Sequence, residues 1–84
     1  IAAILRAYRK LRILIRGHTD NTGSTDTNME LSRARADAVM QALAELGIDA
    51  KRMQAAGAGS AEPYESNDTP EGRRMNRRID ISVL

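Results

Sequence analysis

The sequence predicts a two-layer α/β (α+β) sandwich, a small mixed sheet with helices on one face. Three observations carry this. The apolar pattern changes period along the chain and reads helix, strand, helix, strand, strand. The helical stretches are one-sided, so each has a face to bury against a sheet. Tyr8 and Tyr64 are the aromatic residues, with no Phe or Trp. The core therefore rests on Ile, Leu, Val, Met and Ala, which suits close helix-on-sheet packing. Eighty-four residues correspond to one small domain, residues 1–84, with a limited core.

Each element has its own local cause. IAAILRAYRKL carries Ile1, Ile4, Leu5, Tyr8 and Leu11 at the spacing of one helical face. LRILIRG switches to alternation, with Leu11, Ile13 and Ile15 opposite Arg12, Leu14 and Arg16, a strand pattern. HTDNTGSTDTN is rich in turn formers and reads as a loop. Asn28 is the expected N-cap of a second helix from about Met29 to Leu46, which Gly47 ends. MQAAGAGS, with its small residues, suits a strand edge that something packs against closely. TPEGRRMN contains a helical turn with Thr69 as cap and Pro70 at its first position. RRIDISVL closes the chain as a strand, with Ile79, Ile81 and Val83 on one face.

Composition excludes several functions. A net charge of +2 is too balanced for a nucleic-acid footprint. The clusters RAYRKLR and GRRMNRR read as solvated charge. No Cys is present, so there is neither a disulfide framework nor a thiolate metal site. No apolar run approaches the roughly 18–20 residues that span a bilayer.

One residue stands out on the second helix. At about 100° per residue from Leu31, Ala38, Ala42, Leu46 and Val39 fall between about −20° and +80°. Arg35 falls near +40°, in the middle of that arc by the same step. An unpaired buried guanidinium is costly. Two readings are compatible with the spacing: the stem packs while the head reaches water at the domain rim, or Arg35 belongs to a preformed site. In the second reading Asp20, on the loop after the first strand, is its neighbour. Such a pair suits a zwitterion, because Arg takes a carboxylate in a two-pronged geometry and Asp takes an ammonium.

The rival motifs are weaker. His18 is the single His, with no second His or Cys to complete a metal site. No nucleophile motif accompanies it. It reads as a ring that packs under the loop with local hydrogen bonds. GAGS, Gly57 to Ser60, lacks the Gly-Lys-Ser/Thr ending of a phosphate loop. Asn76 to Arg78 open the last strand as a solvated pair of arginines or as pins for the preceding loop. Nothing in the pattern calls for a cofactor or a metal.

Between Leu14 and Val83 the sequence resembles the OmpA-like C-terminal domain. The match runs through GHTDNTG, the stretch Asn28 to Ala36 (NMELSRARA), Val39, Gly47-Ile48, Arg52, Gly57 to Gly59, Pro63, Asn67, Thr69 and GRRMNRRI. The resemblance implies a non-enzymatic periplasmic domain that binds peptidoglycan non-covalently, within an outer-membrane or membrane-anchored envelope protein. The implied ligand is the stem peptide, chiefly diaminopimelate. Asp20 and Arg35 would grip its amino-acid head group, with Thr22, Asn28 and Arg77 as neighbouring cleft positions. The family begins with a strand and a loop before its first helix, whereas this chain starts inside that helix. The expected domain thus lacks its first strand. The competing expectation is an oligomerisation or assembly module, with a homodimer as its simplest form.

Overall fold

The computed structural model describes residues 1–84. The order is α1 (Ala2–Ala7), β1 (Ile13–His18), α2 (Thr25–Glu45), a 3-10 turn (Ala50–Arg52), β2 (Met53–Gly59), α3 (Pro70–Asn76) and β3 (Ile79–Val83). The sheet is mixed, with β1 in the middle: β2 pairs with it in parallel and β3 antiparallel. The pairings set Ile13, Ile15 and Gly17 beside Met53, Ala55 and Gly57 and beside Val83, Ile81 and Ile79. Period-two alternation puts all of these on one face. The core lies between that face and the helices: Leu5 of α1, Ala36 and Leu43 of α2, then Ile13, Ile15, Ile48 and Met53.

Two glycines let α2 settle on the sheet. A Cβ on Gly17 would stand 2.0 Å from the carbonyl oxygen of Ser32, and one on Gly57 would meet the Arg33 amide and Ser32 Oγ at 2.7 Å. Any other residue at these positions would lift the helix. Ser32 is fully buried in the seam, and its Oγ accepts from the Gly59 amide at 2.9 Å. The close approach expected of MQAAGAGS is therefore present.

The ends of α2 differ from expectation at one side and match at the other. The helix starts at Thr25, capped by Ser24, whose Oγ accepts from the Thr27 amide. Asn28 is thus inside the first turn and is not the N-cap. At the far end the Gly47 amide bonds Ala44 O and the Ile48 amide bonds Leu43 O, with Gly47 at φ 95°. This is the Schellman arrangement, which requires the left-handed conformation that glycine adopts freely. Thr69 and Pro70 open α3 as expected, with Thr69 Oγ1 accepting from the Gly72 amide.

The buried stripe of α2 is not the one the wheel centred on Leu31. Ser32, Ala36 and Leu43 are buried and Val39 is half-buried, whereas Leu31, Ala38, Ala42 and Leu46 are exposed. The true seam lies about 80–140° round from Leu31, where the small residues let the backbones approach. Arg35 borders this seam and is exposed. Its expected place in the middle of a buried arc is corrected accordingly. Likewise, α1 is shorter than its apolar pattern: Leu5 alone of that stripe is buried, and Ile1, Ile4 and Tyr8 face outward. No helix is long and apolar enough to cross a membrane.

Candidate functional site

β1 ends in a bulge against β2, where the register slips between Gly17 and His18 and His18 pairs with Gly59. The slip redirects the chain into the loop before α2. The Thr19 amide donates to Gly59 O, and the His18 amide to Arg78 O, both at 2.8 Å. Asp20 follows and is only 6% exposed. Its Oδ1 accepts from the Thr22 amide at 2.8 Å, an Asx turn. Its Oδ2 accepts from Arg77 Nη1 at 2.6 Å, and its backbone carbonyl takes a bond from Asn28 Nδ2 at 3.3 Å. The Thr22 amide, and then the Arg77 guanidinium, hold the Asp20 carboxyl below the usual carboxylate range, against the opposing effect of burial. Asp20 is therefore a fixed anion at the end of a rigid strand.

Arg77 stands at the junction of α3 and β3, and its side chain is 45% exposed. A cavity of about 280 Å³ is lined by Arg35, Arg77, Arg78 and Ile79. Arg35 has no acidic partner and makes no side-chain hydrogen bond, so the ion pair of Asp20 is with Arg77 rather than with Arg35. The structure thus brings Asp20, Thr22, Asn28 and Arg77 into direct contact and sets Arg35 beside Arg77. Thr22 is exposed and acts on Asp20 through its amide. Asn28 is buried and ties α2 to the loop backbone.

The NRR segment does more than present charge. Asn76 is fully buried; its Oδ1 accepts from the Tyr64 and Glu65 amides, and its Nδ2 donates to Glu65 O and Asn67 Oδ1. Arg78 lies over the Tyr64 ring, 5.6 Å from its centroid, and donates to Glu62 O. Both pin the loop that leads to α3, one of the two roles open to this segment from the sequence. Sequence reasoning did not see the Asp20–Arg77 pair, which joins residues 57 apart. The only signal for it was that a buried Asp needs a cation and GRRMNRR supplies several.

His18 is buried, as expected, but without the expected local ring hydrogen bonds. Nε2 lies 3.1 Å from Asp80 Oδ2 in a direction unsuited to a hydrogen bond, and Nδ1 has no partner. Burial, then Arg78, pushes its pKa below the ordinary imidazole value. His18 is a neutral scaffold residue in this fold.

The OmpA family model matches residues 1–77. The probable lipoprotein YiaD of Escherichia coli is 45% identical over 83 residues, covering 99% of this chain and 38% of that protein. The peptidoglycan-binding protein ArfA of Mycobacterium tuberculosis is 43% identical over 83 residues, covering 99% of this chain and 26% of that protein. The crystal structure of the peptidoglycan-associated lipoprotein from Burkholderia pseudomallei superposes with a TM-score of 0.94 at 32% identity, covering 99% of this chain and 70% of that one. The chain spans well under half the length of these two curated relatives.

Proposed function

This chain belongs to the OmpA family, and we propose that it binds peptidoglycan non-covalently through the amino-acid head group of a diaminopimelate-containing stem peptide. It thereby anchors an envelope protein to the cell wall from the periplasmic side, without catalysing a reaction. The names of ArfA and the Burkholderia lipoprotein support the polymer as target. The observation that carries the head-group reading is a buried, ionised carboxylate whose cation partner shares a cavity with a second, unpaired arginine.

The chemistry follows from that arrangement. Asp20 stays ionised because its folded-state pKa is lowered, so it offers a permanent acceptor to an ammonium group. Arg35 and Arg77 repel one another across their shared cavity, and a ligand carboxylate between them relieves the repulsion while taking two-pronged hydrogen bonds. Thr22 and Asn28 keep the loop in the conformation that aims Asp20. A zwitterion satisfies both ends at once; a neutral sugar satisfies neither.

Co-sedimentation with purified peptidoglycan tests the reading. Asp20→Ala and Arg35→Ala should each abolish sedimentation, and free diaminopimelate should release the parent protein. Parent-like sedimentation of both variants would refute the site. Loss of binding in both, with no release by diaminopimelate, would keep the site and refute the ligand.

A further inference from the structure

We propose, resting on the head-group reading above, that Arg77 withholds Asp20 from any ligand that brings an ammonium without a carboxylate. The carboxylate is then the compulsory half of the head group, and Arg77 is the residue that makes it so.

Both oxygens of Asp20 are engaged within the domain. Oδ1 accepts from the Thr22 amide at 2.8 Å, and Oδ2 accepts from Arg77 Nη1 at 2.6 Å. The two contacts differ in kind. Thr22 contributes a neutral dipole, which leaves the charge of Asp20 available. Arg77 contributes a full positive charge at salt-bridge distance, to a side chain only 9% exposed. The charge of Asp20 is therefore balanced before any ammonium approaches. An ammonium that reaches Asp20 either displaces that guanidinium or stands beside it. Displacement leaves Arg77 without its partner. Sharing sets two cations together with little water to screen them.

The surroundings do not relieve this cost. Arg77 lines a cavity of about 280 Å³ with Arg35, Arg78 and Ile79, and no acid lines it. Arg78 is tied to Asp80 at 3.1 Å and to Glu62 O, so its charge is already compensated. Arg35 and Arg77 against Asp20 leave one positive charge in excess. An ammonium alone raises that excess to two. A carboxylate alone cancels it, on Arg35 and Arg77, without touching Asp20. A zwitterion does better than either. Its carboxylate takes over the neutralisation of Arg77, which frees the charge of Asp20 for the ammonium. Arginine suits this role, because its fork of N–H donors can serve Asp20 and a ligand carboxylate together.

Isothermal titration of the full chain with a soluble stem peptide in three forms tests the proposal. One form has the intact zwitterionic head, one has its carboxylate converted to a carboxamide, and one has its ammonium acetylated. The parent should bind the intact form best and the carboxamide worst. The acetylated form should bind roughly tenfold or more tightly than the carboxamide, the weight of one charge-assisted contact. Arg77→Gln should weaken the intact form yet bind the carboxamide several-fold more tightly than the parent does, a gain that a merely structural Arg77 could not give. Arg77→Lys keeps the charge and should keep the parent's order of preference. Circular dichroism checks that both variants fold, and the ranking in the parent stands without them. A parent that binds the carboxamide as well as the acetylated form would overturn the proposal while leaving the head-group reading intact. So would a folded Arg77→Gln variant that gains nothing for the carboxamide. No binding of the intact form by the parent would overturn the head-group reading itself, and this proposal with it.

Discussion

Replacing Gly17 by Ala should cost the domain a large share of its stability. The new Cβ would stand 2.0 Å from Ser32 O and 2.8 Å from Ser32 C. An ordinary C···O contact is about 3.3 Å, so roughly 1.3 Å must be found. The obstructing atoms are backbone within a 21-residue helix, and Gly17 lies in the middle strand, paired on both sides. Neither can yield locally, so α2 must rise. A rise of that size stretches the 2.9 Å bond from the Gly59 amide to Ser32 Oγ beyond hydrogen-bonding range. Orphaning the buried Gly59 amide costs about 1–3 kcal/mol. Loosening Ala36 and Leu43 from Ile15 adds an overpacking term of about 1–3 kcal/mol. The sum, about 2–6 kcal/mol, is a large share of the roughly 4–13 kcal/mol expected for 84 residues. Urea unfolding followed by circular dichroism measures it. A loss under about 1 kcal/mol would mean that α2 does not rest on Gly17 as described.

Three further outcomes follow from particular contacts. Asp20→Asn keeps the side-chain shape and the acceptor for the Thr22 amide but removes the charge, so peptidoglycan affinity should fall roughly 10- to 150-fold, the loss of one charge-assisted contact. In the parent, the stability that Asp20 contributes is present above its unfolded value of 3.8 and is lost as pH falls through the lower folded value; the Asn variant should lack that acid-side loss in a pH series of unfolding curves. Asn76→Ala removes four hydrogen bonds and should cost about 2–3 kcal/mol while opening the segment 61–69 to limited proteolysis. His18 has a lowered pKa, so its contribution is full above its ordinary value of 6.5 and shrinks as pH drops towards the folded value. His18→Leu should flatten that part of the stability profile, and an unchanged slope would show that another group sets it.

The fold was legible where local chemistry is decisive. The alternation of β1, the glycine at position 47 and the Thr69-Pro70 start of α3 each announce themselves within a few residues. The face of α2 did not, because the half of its seam that meets the sheet most closely is built from Ser32 and Ala36, and large apolar residues (Val39, Leu43) enter it only further along. Hydrophobic periodicity weights Leu31 and Leu46, whereas the real constraint is steric and comes from Gly17 and Gly57 on other elements. The cap was ambiguous for a different reason: Ser24 and Asn28 are both good N-cap residues, the bond from the Thr27 amide to Ser24 Oγ is local, and Asn28 instead spends its side chain on Asp20 O. At the site, Asp20 was visible on its loop as a candidate. Its partner was not, since Arg77 reaches it only after the sheet has brought the end of β1 beside the start of β3.

The two ends of the proposed head-group clamp are unequally prepared, and this asymmetry is testable. Asp20 is tied to three elements before any ligand arrives. Asn28 of α2 holds its carbonyl, Gly59 of β2 holds the preceding amide, and Arg78 beside β3 holds the one before that. Its carboxylate is oriented by Thr22 and Arg77. Almost no conformational entropy remains to be lost there on binding, and little tolerance remains either. Arg35 is exposed and unbonded, so engaging a ligand must first immobilise a long side chain, at a cost of about 0.5–1.5 kcal/mol. A change of length should therefore be far more damaging at Asp20. Asp20→Glu inserts a methylene where the carboxylate already spans two fixed donors, and it must break at least one of them. Arg35→Lys keeps the charge and loses the two-pronged geometry alone. Isothermal titration with a soluble stem peptide should show a loss of tens-fold or more for Asp20→Glu and only several-fold for Arg35→Lys. If the lysine variant proved the weaker binder, recognition would reside in the guanidinium fork, and the preorganised carboxylate would be secondary.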